Sequence, residues 1–252
     1  MNKLFEFSTR AKLILSSVLL VAALTHGTMA KAQPQIAVFL GSAGSYSVLA
    51  GTTVTNTGPS VINGNLGVWP GTAITGFGPG VVNGTEDPGD VVAQHAQASL
   101  NIAYNDAAAR KSIATNPLAG DISGLTLTPG LYKSTSSLSL SGTVTLHGSG
   151  VYIIQIASGL TVGSGGTVVL SGGATSDNVF WQVGSSATLG TTANFKGTIL
   201  ALTSISLATG AKLDGRALAQ HGAVTLESND VTMPLGNTVV IVLPPPPPRH
   251  RD

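Results

Sequence analysis

Residues 199–232 contain the same short plan twice. An apolar stretch leads into a stretch alternating small hydroxyl side chains with Val, Ile or Leu, and a third stretch carries charge: ILALT, SISLA, AKLDGR, then ALAQH, AVTLE, NDVT. The plan extends backwards. NVFWQV, SATLG, NFKGT cover 178–198, and VYIIQI, GLTVG, TVVLS cover 151–171. Near the start, YSVLAG, TVTNTG, SVINGN and then LGVWP, TAITG, GVVNGT fit it over 46–85. A fixed succession of three strands separated by Gly-rich turns cannot bury an apolar face within one pass. Stacked passes can, which is the logic of a solenoid. Pass length drifts from about 16 to 27 residues, so the repeat is irregular. A sandwich also uses short strands with regular turns. The solenoid is preferred because each third of a pass keeps its own character.

That character assigns three faces, because neighbouring side chains on a strand point to opposite sides. The first strands are apolar on both sides and need an outer cover. Residues 87–117 supply the one long helical pattern, expected as a helix over about 88–115. Asp87-Pro88 or Asp90 can start it, and Asn116-Pro117 stops it. Val92, Ala96, Leu100, Ala103 and Ala107 share one side, and Arg110 and Lys111 suit the negative end of the helix dipole. The third strands turn Lys196, Lys212, Asp214 and Asp230 outward beside inward Phe195 and Leu213, an ordinary solvated face. The middle strands differ. Val54, Ile74, Leu138, Leu140, Leu160, Val162, Leu189, Ile205, Leu207, Val224 and Leu226 point in. Thr53, Thr55, Thr57, Thr75, Ser137, Ser139, Thr161, Ser186, Thr188, Ser204, Ser206, Ala208, Ala223 and Thr225 point out, with Glu227 as a charged exception at the rim.

The ends read differently. Lys3, Arg10 and Lys12, the apolar run LILSSVLLVAAL and Ala30-Lys31-Ala32 describe a secretory signal peptide over 1–32, too short for a membrane span. Its removal would take away Lys3, Arg10, Lys12, Lys31 and Glu6, turning a formal net charge of +1 into −2. The solenoid domain is assigned to 33–234. Residues 235–252 form a separate tail, a strand-like run followed by five prolines in an extended polyproline segment.

Several kinds of chemistry find no support. Charged residues are 9% of the chain, far below the roughly 25% usual for soluble domains. There is no basic stripe, so nucleic acid is not an expected partner, and no Cys, so disulfides and thiolate metal sites are excluded. His95, His147, His221 and His250 fall on the helix, a turn, a strand end and the tail, with no metal-ligand spacing. Glu86, Asp87 and Asp90 read as helix-start chemistry. A polysaccharide lyase or glycosidase would need carboxylates gathered on one groove. Only Asp214 and Asp230 could occupy matching positions in adjacent passes. Neither a nucleophile elbow nor a phosphate loop is present. Asn83-Gly84-Thr85 fits a glycosylation sequon but equally a tight turn. No catalytic residue, metal or cofactor is expected.

What remains is a grid of short uncharged groups, repeating at about 4.7–4.9 Å between strands and roughly 6.5–7 Å along them. Few ligands carry a two-dimensional repeat to match it; crystalline ice does. Ser and Thr on strands can also be there merely as compatible strand residues.

The stretch from NVFWQVGSSATLG through GAVTLESNDVT resembles a large microbial family of secreted ice-binding proteins. So do LGSAGSYSVLAGTTVTNTGPSVINGNLGVWPGTAITGFGPG, AYNDAAAR and LTPGLY, and the resemblance spans about residues 38–233. It implies a mostly β, irregular three-faced β-solenoid with one long α-helix packed along one face. It also implies that the first and last segments pair in space. The ice-binding site would lie on one flat face, matched here by Thr53, Thr55, Thr57, Thr75, Thr161, Ser186, Thr188, Ser204, Ser206 and Thr225. The expected partner is an ice surface, met by a secreted monomer that enters no membrane after signal cleavage. The alternative is a structural or adhesive surface module binding polysaccharide or protein.

Overall fold

The structure is a computed structural model that describes residues 34–112 and 116–234. The expected signal peptide and the proline-rich tail lie outside the described residues. Every strand pairing is parallel, and the strands fall into two ladders wrapped around one core. The middle strands form an eight-stranded sheet, while the first and third strands share a fifteen-stranded sheet that bends around a corner. The cross-section therefore has three faces, as the sequence pattern demands.

Two strands make that corner without a loop. Asn194–Ala201 and Lys212–Ala219 each begin on the third face and finish on the first. Gly197, at φ 106°, and Gly215 mark the bends. A Cβ at Gly215 would collide with the Gly197 carbonyl of the coil beneath, so both the backbone angle and the stacking demand glycine here.

Stacking order departs from chain order. Tyr46–Ala50 pairs with the second half of Lys212–Ala219, with Val48 opposite Ala217 and Leu49 opposite Leu218. Its other neighbour is Asn65–Val68, which in turn pairs with Glu86–Pro88. The N-terminal coils therefore sit on the last coil and complete one end of the stack. The chain then returns to the far end, where Asn116–Pro117 and Gly120–Asp121 start the first coil of the longer series.

The return is made by helix α1, Val91–Ala109. It is shorter than the expected 88–115. Glu86–Pro88 pairs as a strand, so the N-cap is Asp90, whose Oδ1 accepts from the Ala93 amide at 2.8 Å. The helix ends before Arg110, which folds back on Asp106 at 2.8 and 2.6 Å; Asn116-Pro117 is a strand and stops nothing. Its buried side is Ala93, Ala96, Gln97, Leu100, Ala103, Tyr104 and Ala107. Val92, expected inside, is exposed. At about 100° per residue it points some 80° from Leu100, whereas Ala93 points about 20° away.

The helix crosses the first face obliquely. Under its C-terminal half the apolar contacts are Leu131, Ile153 and Phe180, which are register partners. Under the N-terminal half they are Leu200, Leu218 and Leu49, one outward position further along the strands. The positions left over are polar and bonded. Gln155 donates to the Ala107, Ala108 and Arg110 carbonyls at 2.8, 3.1 and 3.0 Å, satisfying the free end of the helix. Gln182 donates to the Tyr104 hydroxyl, and Arg216 donates to the Gly44 carbonyl. The main core, inside the coils, is aliphatic apart from Tyr132, Tyr152, and the Trp181–Phe195 pair at 4.9 Å between ring centres.

Where the last coil meets the N-terminal coils, a polar seam runs under the corner between middle and third faces. Asn56 occupies an inward position and donates to the Gly58 and Gly76 carbonyls at 2.9 Å. Its Oδ1 accepts from Ser60, whose hydroxyl accepts from the Asn229 amide. The Asn229 side chain donates to Ala208 and Ala211 and accepts from the Glu227 amide. Side chains from two distant segments thus tie four coils together.

Candidate functional site

The middle ladder runs in the order 120–121, 138–140, 160–162, 187–189, 205–207, 224–227, 53–57, 73–75. Its inward column is Leu138, Leu160, Ala187, Ile205, Val224, Val54 and Ile74. Nearly all of these are fully buried, so the strands are braced from behind. One residue along, the register builds an outward column: Ser139, Thr161, Thr188, Ser206, Thr225, Thr55 and Thr75. Seven hydroxyl side chains on seven successive strands form a rank about 29 Å long at the usual interstrand spacing. It crosses the chain's discontinuity without a register break, because Thr225 stands opposite Thr55. Their hydroxyls are 3.5 Å apart, and the other five have no hydrogen-bond partner among the described residues.

The ten residues singled out from the sequence divide into groups. Thr161, Thr188, Ser206, Thr225, Thr55 and Thr75 stand in the central rank. Ser139 completes it and was missing from that set, although the outward reading of SLSLS already pointed to it. Ser186 and Ser204 lie on the flank beside the corner to the helix face, and their hydroxyls are engaged. Ser186 Oγ accepts from the Ser204 amide and Ser204 Oγ from the Ala223 amide, each at 3.3 Å. Thr53 stands on the same flank opposite Ala73. Thr57 lies on the other flank, opposite Glu227, which is exposed.

Asp121 continues the central rank past Ser139. It accepts from the Ser123 and Ser141 hydroxyls and from both their amides. Those donors, Ser123 first, hold its carboxyl well below the usual range. The rank thus ends in a fixed negative charge, and hydroxyls alone occupy the seven positions before it.

The other charged and titratable groups picked out in the sequence are placed as follows among the described residues. Asp230 stands opposite Lys212, while Asp214 stands opposite Thr232 and pairs with Lys196 at 3.4 Å. The two carboxylates expected to match in adjacent passes are therefore out of register. His147 closes a strand, where the sequence suggested a turn, and its Nδ1 lies 3.1 Å from the Ser171 hydroxyl. Asp87 is bonded to Tyr46 and Thr85. Among the described residues no three His, Asp or Glu side chains are placed to hold a metal ion.

Comparison with known proteins decides the family. Residues 48–232 match the family model described as ice-binding-like.

The chain belongs to the ice-binding-like family.

An ice-binding protein of Nostoc sp. (strain HG1) is 49% identical over 199 residues, covering 77% of this chain and 73% of that protein. An ice-binding protein of Colwellia sp is 37% identical over 232 residues, covering 86% and 91%. The solved structure of an ice-binding protein from an Antarctic biological consortium superposes with a TM-score of 0.80 at 52% identity, over 81% of this chain and 95% of that one. The family's solenoid with its long helix is thus the architecture expected from the sequence resemblance, including the pairing of first and last segments.

Proposed function

We propose that this chain binds ice through its middle face as a secreted protein, and thereby slows ice growth or recrystallisation. The observation that carries the site is the unbroken central rank. Short Thr and Ser side chains have few rotamers to lose, and the buried column behind them keeps the strands in place. The methyls can rest over gaps in a lattice while the hydroxyls hold water in near-lattice positions. Each contact is weak, so adsorption depends on many acting together without an ordering cost. A crystal front held at such points must bulge between them, and the curved front freezes less readily. The ice-binding relatives support the activity, and the leader read in residues 1–32 supports export.

The test compares two bulky substitutions. Thr188→Tyr puts a ring in the middle of the rank and should weaken adsorption by about tenfold or more while the melting temperature stays put. Lys212→Tyr, at an exposed position on the third face, should change neither. Equal adsorption by the two variants removes the middle face from the account.

A further inference from the structure

A groove of about 460 Å³ lies between α1 and the corner where the helix face turns into the middle face. Trp69 and Pro70 form one wall, Gln94, Gln97, Ala98 and Asn101 the other, and Gln220 and His221 lie between them. The size is in the range of small-molecule sites. Trp69 is half-buried, and the lining contains no carboxylate, lysine or arginine.

The polar groups of this groove are largely unspent. Nε2 of Gln220 is buried without a hydrogen-bond partner, the only such side-chain atom among the described residues, and Gln220 itself is 6% exposed. Buried polar groups are nearly always bonded, and an orphan calls for an explanation. The terminal torsion of Gln is soft, so a small rotation brings the amide towards a bound group. Asn101 accepts from Asn105 through Oδ1, leaving its own NH₂ free. Gln97 donates to the Ala219 carbonyl and keeps its Oε1.

We infer that this groove binds a neutral pyranose unit of a saccharide. A pyranose offers C–H groups from one ring face, which suit the apolar indole surface, and hydroxyls around its rim. Each hydroxyl both donates and accepts, as a carboxamide does. A phosphate or a uronate is best held by a lysine or arginine, and the lining has neither. The groove opens beside the middle face and uses none of the central rank, so a protein held on a glycan keeps that rank free.

Isothermal titration of the full chain with maltose, cellobiose, lactose and mannobiose tests this, with glycerol as a comparator. The chain has two tryptophans. Trp181 is fully buried, so a fluorescence change reports Trp69. Saturable binding of at least one disaccharide is expected, with a spectral shift and no response to glycerol. Trp69→Ala should abolish it. The double variant Gln94→Ala, Asn101→Ala, at two exposed helix positions, should weaken it about tenfold with adsorption to ice unchanged. No saturable binding of any of the four sugars overturns the inference. So does binding that survives Trp69→Ala, an affinity left unchanged by the double variant, or an equal response to glycerol. Ice adsorption is measured separately, so failure here leaves the proposed function standing.

Discussion

At the scale of single residues, hydroxyls on the same face do different work. Thr188 projects from the central rank with no hydrogen-bond partner for its hydroxyl among the described residues, whereas Ser204 uses its oxygen to accept the Ala223 amide. Ser204→Ala should therefore cost stability, about 1 kcal/mol in a denaturant melt, and leave adsorption nearly intact. A large loss of adsorption with no loss of stability would place Ser204 in the contact surface instead. Tyrosines set a different limit. Burial raises the Tyr152 hydroxyl to about 12, and burial together with Asp87 raises Tyr46 still higher. In the unfolded chain both ionise near pH 10, while the folded chain resists. The folded state therefore holds the more protons above pH 10, and stability falls as pH rises past that point. Melting temperatures between pH 8 and 11 should be level first and then decline; a level profile throughout contradicts the burial argument. The sequence pattern made Thr188 legible because alternation alone decides which side it faces. It could not separate Ser204 from Ser206, since that depends on the neighbouring coil's backbone.

Among the elements, the seam matters most. Asn229 satisfies two carbonyls of the preceding coil and one amide of its own, and Ser60 and Asn56 carry that network across to coils distant in the chain. Asn229→Ala strands all three groups and should destabilise the fold by on the order of 2–3 kcal/mol, measured by urea unfolding. A change below about 0.5 kcal/mol would show that the seam holds by backbone pairing alone. Asn56 was hard to read in TVTNTG, because an Asn between threonines looks like a turn residue, yet it sits at the inward position opposite Leu226. Gln155 and Gln182 were hidden for a related reason. Within VYIIQI and VFWQV they look like solvent-facing breaks, and only a helix laid across the strands turns them into partners for its carbonyls and for Tyr104. The helix itself was visible from its spacing. Of the two starts the sequence left open, Asp90 caps the helix and Asp87-Pro88 does not, because Glu86–Pro88 is claimed by a strand partner some twenty residues earlier, a tertiary contact that local propensity cannot see.

For the whole molecule, discontinuity and continuity coexist. The chain leaves one end of the stack, travels along α1 and builds back towards its own beginning, yet the hydroxyl rank shows no interruption. Local repeats revealed the three faces, but the order of coils came only from the family resemblance, since Val48 and Ala217 carry no mark of their pairing. A rigid stack of this kind can present a periodic surface larger than any one coil, and that is the property the proposed function needs. Partition during slow freezing tests it most directly. A purified, unsubstituted chain should concentrate in slowly grown ice while a co-dissolved inert protein stays behind. Recovery of the chain in the liquid, at the same fraction as the inert protein, would contradict the account.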